Sequence, residues 1–195
     1  MYEVVGSPTS RAFRVMWLLE ELGQPYMLSP EKPHSERVTA LNPSGKIPVL
    51  IDGAAQITDS VAIMTYLADK HGALTYPAGT VERAHQDSFT QQVLDEVEAG
   101  LWTASRHNFV LPKDRRVPEI KDTLMWEYTR GISNVLKRKK GTYLMGDMMT
   151  VPDILLTQCA TWAKFEEFPT DNEDLLNYIK ITRGRPAFRK LIDKM

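Results

Sequence analysis

The stretch Asn42-Pro43-Ser44-Gly45-Lys46-Ile47-Pro48-Val49-Leu50 joins a turn, one cation and a proline at the head of an apolar strand. Proline has no N–H, so within sheets it sits at a strand's first residue or at an edge. A cis Ile47–Pro48 bond would turn the N–H and C=O of Ile47 outward, where an extended peptide could pair with them by strand addition. An ordinary trans edge proline fits the same residues. Thr58-Asp59-Ser60 falls at a strand-to-helix junction. Unpaired N–H groups there, with the Ser60 hydroxyl, suit an anion, and Asp59 places a negative charge beside them. That combination matches a group bearing both a carboxylate and an ammonium; a plain helix cap matches it too. The third stretch is Ser7-Pro8-Thr9-Ser10-Arg11, just ahead of a helical pattern. Ser10 is the natural cap, and a thiolate held there would gain from the hydroxyl, the helix dipole and Arg11. A simple cap is again the competing reading.

These stretches need elements to hold them. Tyr2–Val5 reads as a short strand broken by Gly6, Ser7 and Pro8. Residues 11–22 have helical spacing through Phe13, Val15, Met16, Leu18, Leu19 and Leu22, with Gly23 as the stop. Tyr26–Leu28 suits a second strand and residues 35–41 a short helix. Ile47–Ile51 and Gln56–Thr58 are strands about the turn Asp52-Gly53, and residues 60–70 are helical. The order is β-α-β-α-β-β-α. Gly72, Pro77 and Gly79 mark a linker over 72–81. Beyond it the segments 82–108, 116–139, 151–165, 172–182 and 186–193 all read as helix.

The 195 residues are 43% apolar and 25% charged, the profile of a soluble globular chain. A net charge of −1 gives no general attraction to nucleic acid or anionic membranes. No apolar run reaches the roughly 18 residues of a membrane span. The first residues lack a basic stretch followed by a long apolar one, so no signal peptide is expected and the cytoplasm is the expected compartment. One cysteine, Cys159, rules out an internal disulfide or CxxC pair, and its apolar neighbours predict a buried position. The run Lys137-Arg138-Lys139-Lys140 suits a helix C-terminus.

In order and spacing, Ser10-Arg11, then Leu18-Leu19-Glu20-Glu21-Leu22-Gly23, then Leu41 to Leu50 and Asp59-Ser60, resemble the cytosolic glutathione transferase superfamily. The likeness is to its serine-type, bacterial-like members. Gly146, Thr150 and Asp153 resemble that family's capping box in the helical domain, with Asp for the commoner Glu and with Met149 and Ile154 as its hydrophobic staple. The resemblance implies an α/β thioredoxin-like N-terminal domain over 1–75, binding glutathione. It also implies an all-α C-terminal helical bundle over 82–195, carrying the second-substrate pocket.

By the same resemblance, Ser10 would donate to the glutathione sulfur. Ile47, beside cis-Pro48, would pair with the cysteinyl unit, Asp59 and Ser60 would hold the γ-glutamyl end, and Lys46 and His34 would meet the glycyl carboxylate. No tyrosine stands near Val5 or Gly6 and no cysteine near Ser10, so a serine-type site remains, with Thr9 one residue away as a competitor. Trp102, Arg106 and Phe109 recur at four and three residues, share a helix face and would meet the second substrate. Trp162 reads as core. The implied activity is addition of the glutathione thiolate to small apolar electrophiles, by a homodimer that needs no metal. A glutathione-dependent isomerase or peroxidase, or a non-catalytic binding protein on the same fold, uses the same residues.

Overall fold

The computed structural model describes residues 1–194, which form two compact units. The first comprises Met1–Ala78 together with the stretch from Gly184 on, and the second comprises Gly79–Arg183.

In the first unit, β1 (Tyr2–Val5), β2 (Tyr26–Ser29), β3 (Val49–Asp52) and β4 (Ala55–Thr58) make one mixed sheet in the order β2-β1-β3-β4. β1 runs parallel to β2 and antiparallel to β3, and β3 and β4 form a hairpin. The helices are α1 (Ala12–Glu21), α2 (Glu36–Leu41) and α3 (Ser60–His71). The order is the one read from periodicity, and the arrangement is thioredoxin-like. Val4, Val5, Val49 and Leu50 are fully buried on the sheet, as are Val15, Trp17, Leu18 and Leu19 of α1. The β3 ladder starts at Val49 rather than at Ile47, so Pro48 lies just outside it.

A further helix, α9 (Pro186–Asp193), also belongs to this unit, although the resemblance implies one helical domain over 82–195. The cause is chemical. Phe188 meets the rings of Phe13 and Trp17 with centroids 5.6 and 4.9 Å apart. Arg185 binds Glu21 through Nε and Nη2 at 2.7 and 2.6 Å. Lys190 and Lys194 close on the two oxygens of Glu20, whose side chain is only 5% exposed. Burial pushes the Glu20 carboxyl up, but the two lysine bonds outweigh it and hold the group below its ordinary range. A depressed folded-state pKa means this stabilisation is present above the unfolded carboxylate value and is lost as pH falls through the folded one. Amide protection in α9 should therefore fall below about pH 4 while β1 and β3 stay protected. Equal protection of α9 at pH 3 and pH 7 would contradict this anchoring.

The second unit is helical: α4 (Val81–Gln92), α5 (Ala99–Ser105), α6 (Lys121–Lys137), α7 (Val151–Phe165) and α8 (Glu173–Arg183). α4 and α5 are one continuous rod joined by a π-helical turn, Val93–Glu98, and a second π turn, Arg106–Val110, extends it. A 3₁₀ turn, Lys113–Arg115, precedes the helix expected over 116–139, and a second, Pro118–Ile120, replaces its first residues. Cys159 is fully buried, with Sγ 3.8 Å from Glu98 Oε2. Asp153 is the polar centre of this unit. Its Oδ1 accepts from Leu144 N–H at 2.8 Å and Tyr178 O–H at 2.6 Å, and its Oδ2 from Thr150 N–H at 2.7 Å and Thr150 Oγ1 at 2.9 Å. The expected box is present in both halves, and the Thr150 hydroxyl also donates to the Asp153 carboxylate while the Thr150 carbonyl lies 2.9 Å from the Asp153 N–H. Met149 and Ile154, the expected staple, are both buried.

Candidate functional site

Sheet register brings the three chemical stretches together. Val5 pairs with Val49, and Val49 pairs with Thr58. The end of β1, the start of β3 and the end of β4 therefore lie together at one end of the sheet. From that end leave the Gly6–Arg11 loop, the Ile47-Pro48 segment and the Asp59-Ser60 junction. The approach is close: a Cβ built on Gly6 would lie 3.3 Å from Ile47 Cβ and 3.1 Å from Ala12 Cβ.

The Ile47–Pro48 bond is cis. Ile47 lies outside the β3 ladder and is half-buried, so its backbone borders the end of the sheet without joining it. Lys46 is exposed and its carbonyl is held by Asn42 Nδ2 at 2.8 Å. His34 comes to the same place from the loop before α2. Its N–H donates to Gly45 O at 2.8 Å, and its ring lies so close over Gly45 that a Cβ there would sit 2.0 Å from Nδ1. Gly45 also has φ +67°, so only glycine suits both its backbone and its neighbour. His34 and Lys46 are thus adjacent in space although twelve residues apart in sequence.

At the β4–α3 junction, Asp59 has φ +71° and ψ 125°, a sparsely populated conformation for a non-glycine residue. Such strain persists where surrounding contacts impose it and is concentrated at functional sites. Asp59 Oδ1 caps α3 by accepting from Val61 N–H at 2.9 Å and Ala62 N–H at 3.1 Å. One oxygen serves the helix, so the other can face a ligand. The Ser60 side chain is buried and accepts from Arg14 Nη1 at 3.4 Å.

The loop before α1 resolves the hydroxyls. Ser10 sits one residue before the helix cap, Arg11, and its Oγ accepts from Ala12 N–H at 3.1 Å. Its own proton goes to Ser7 O at 2.6 Å. Thr9 is exposed, with Oγ1 2.9 Å from Ser7 Oγ. Ser7 is a hydroxyl that spacing arguments passed over, because it precedes the helix by too much to be read as a cap. Arg14 was also missed: it lies inside the apolar run 12–19, every residue of which is buried, and its own exposure is 0%. A charged residue at a core position of an otherwise apolar helix was the available signal.

In the second unit, Trp102 and Arg106 are in contact, the guanidinium 6.0 Å from the ring centroid, and Arg106 Nη2 donates to Thr103 Oγ1 at 3.0 Å. Trp162 joins them rather than lying in the core: its ring is 6.4 Å from that of Trp102, it is half-exposed, and its Nε1 donates to Ser105 Oγ at 3.1 Å. The Ser105 hydroxyl in turn donates to the buried Glu166. Phe109 is 61% exposed and follows Arg106 inside the second π turn, where Leu111 N–H reaches Arg106 O. The winding between Arg106 and Phe109 is therefore i→i+5 rather than α-helical. Arg116 fixes that turn by donating to the carbonyls of Asn108, Phe109 and Leu111 at 2.8–3.0 Å.

A separate groove of about 580 Å³ lies in the first unit, lined by Met16, Tyr26, Leu28 and Leu191 among others. Ser10, Ile47 and Asp59 do not line it, and it is not where the chemistry gathers.

Residues 1–75 match the family model of the glutathione S-transferase N-terminal domain. The chain is similar to glutathione S-transferase alpha I of Oryctolagus cuniculus, 28% identical over 154 residues, or 74% of this chain and 65% of that one. It thus spans just under two thirds of that relative's length. A crystal structure of a glutathione transferase from Methylococcus capsulatus superposes with a TM-score of 0.86 at 21% identity, covering 100% of this chain and 98% of the other. A glutathione transferase homolog from Lodderomyces elongisporus, with two GSH per subunit, superposes with a TM-score of 0.85 at 23% identity, covering 98% and 97%. At these identities the superpositions show the fold alone. The matched N-terminal domain and the whole-chain fold define the class, a thioredoxin-like domain with a helical partner. Residues 1–75 thus match the glutathione S-transferase N-terminal domain, and the whole chain has the fold of solved glutathione transferases.

Proposed function

We propose that this protein binds glutathione at this end of the sheet and transfers its thiolate sulfur to small apolar electrophiles. The observation that carries the reading is the register Val5–Val49–Thr58, which places an N-terminal helix turn, a cis-proline backbone and a strained acidic cap along one line. That line matches a tripeptide with a charged group at each end and a thiol between them. In this reading Ser10 donates to the sulfur, and Ile47 beside Pro48 pairs with the cysteinyl backbone. Asp59 and Ser60 take the γ-glutamyl ammonium and carboxylate. Lys46 and His34 meet the glycyl carboxylate. Trp102, Arg106 and Phe109 contact the second substrate, and the working form is a homodimer in the cytoplasm. No residue of the scheme requires a metal. Calorimetric titration with glutathione, followed by turnover of a generic aryl halide, tests it. Binding without turnover would leave a binding protein, and absence of binding would sink the reading.

Asp59→Asn separates the ligand role from the structural one. Asparagine keeps the cap and tolerates positive φ, but loses the charge. Because Asp59 is exposed, the lost ion pair is worth about 0.2–1 kcal/mol. The apparent KM for glutathione should rise about two- to fivefold with kcat unchanged. A KM equal to that of the unsubstituted protein would remove Asp59 from the site.

A further inference from the structure

We infer that Arg14 is a positioning residue for the γ-glutamyl carboxylate, acting through the Ser60 hydroxyl. The inference rests on the proposed role of Ser60. Arg14 lies on α1 one turn beyond Ser10, is 0% exposed, and donates from Nη1 to Ser60 Oγ at 3.4 Å. Burying a guanidinium in a helix core is costly unless its N–H groups are used. Here one of them is spent on a hydroxyl at the first residue of a twelve-residue helix. A hydroxyl has one proton to give. With Arg14 supplying a donor to its oxygen, the Ser60 proton is turned away from α1, toward the side where the first N–H groups of α3 also point. Hydroxyl and helix N-terminus then offer donors to the same anion. The contact also ties α1, which carries the thiol-activating turn, to α3, which holds the far end of the tripeptide.

The test compares two ligands: glutathione and its analogue lacking the γ-glutamyl α-carboxylate. The unsubstituted protein should prefer glutathione. Arg14→Met should reduce that preference about fivefold, the worth of roughly one net hydrogen bond. Arg14→Lys, which keeps a donor and a charge, should retain most of it. The thiolate pKa of bound glutathione should stay the same in both variants, since Ser10 is untouched. A purely structural role for Arg14 would weaken both ligands equally and leave the preference intact, which would overturn the inference. If Arg14→Met does not fold, Ser60→Ala in the unsubstituted background and in Arg14→Lys supplies the readout. Loss of preference on removing the hydroxyl in both backgrounds supports the relay, and full preference without it refutes the relay. If the unsubstituted protein itself fails to distinguish the ligands, the assignment of Ser60 to the γ-glutamyl end fails, apart from Arg14.

Discussion

In the proposed site, replacing Ser10 by alanine should raise the pKa of bound glutathione by about one unit and lower neutral-pH turnover about tenfold. A thiol with a pKa of about 8.5 is only a few per cent ionised at pH 7. One charge-assisted hydrogen bond, worth about 1.5–3 kcal/mol, can shift it by one to two units. The structure favours the lower end. The Ser10 proton is already engaged with Ser7 O at 2.6 Å, so turning to a thiolate forfeits a neutral bond worth about 0.5–1.5 kcal/mol. The Ala12 N–H to Ser10 Oγ bond survives that rotation, so the start of α1 stays capped while the hydroxyl swings. Activity in Ser10→Ala should recover in alkaline solution, where ionisation no longer needs help. Thiolate ultraviolet absorbance against pH, in Ser10→Ala and Thr9→Ala, decides the matter. A shift in Thr9→Ala alone would move the role to the exposed neighbour. A shift in neither would assign the sulfur to a backbone N–H or to water.

Asp153→Asn should destabilise the helical unit by about 3 kcal/mol or more, because several buried donors lose an acceptor together. An amide offers one acceptor oxygen where the carboxylate has two, so either Leu144 N–H and Tyr178 O–H or the pair from Thr150 is left without a partner. Burial pushes the Asp153 carboxyl up, and bonds from Leu144, Tyr178 and Thr150 pull it back without fully offsetting burial. Urea unfolding followed by tryptophan fluorescence measures the loss. At a urea concentration where the variant remains folded, glutathione affinity per folded molecule should equal that of the unsubstituted protein. A variant with native stability and no glutathione binding would make Asp153 a ligand-site residue instead.

Much of this was legible in the chain because local rules and the global fold agree. The strands and α1 to α3 follow apolar spacing and glycine stops, and Thr150 with Asp153 announces the start of α7. What stayed hidden depended on winding or on distant partners. Residues 82–108 keep helical spacing of apolar side chains, yet two turns close i→i+5, and no periodicity of residue types marks which carbonyls take the fifth amide. Trp162 read as core because its hydrogen bond to Ser105 spans 57 positions. The Asp153 box gave no hint of Tyr178, which approaches from the next helix. Lys190 and Lys194, four apart, look like a solvated helix face until Glu20 is seen beneath them.

The docking of α9 on α1 sets an order of assembly. A ribosome releases the sheet and its three helices first, then the whole helical unit, and only afterwards the residues that cover Phe13 and Trp17. The first-made unit is therefore the last completed, and it waits with an aromatic face uncovered while more than a hundred residues are synthesised. Severing the chain at the linker yields a fragment missing part of its own core, so the two units are not interchangeable cassettes. A recombinant swap that respects the architecture would carry α9 with the sheet it closes, not with the helices it follows.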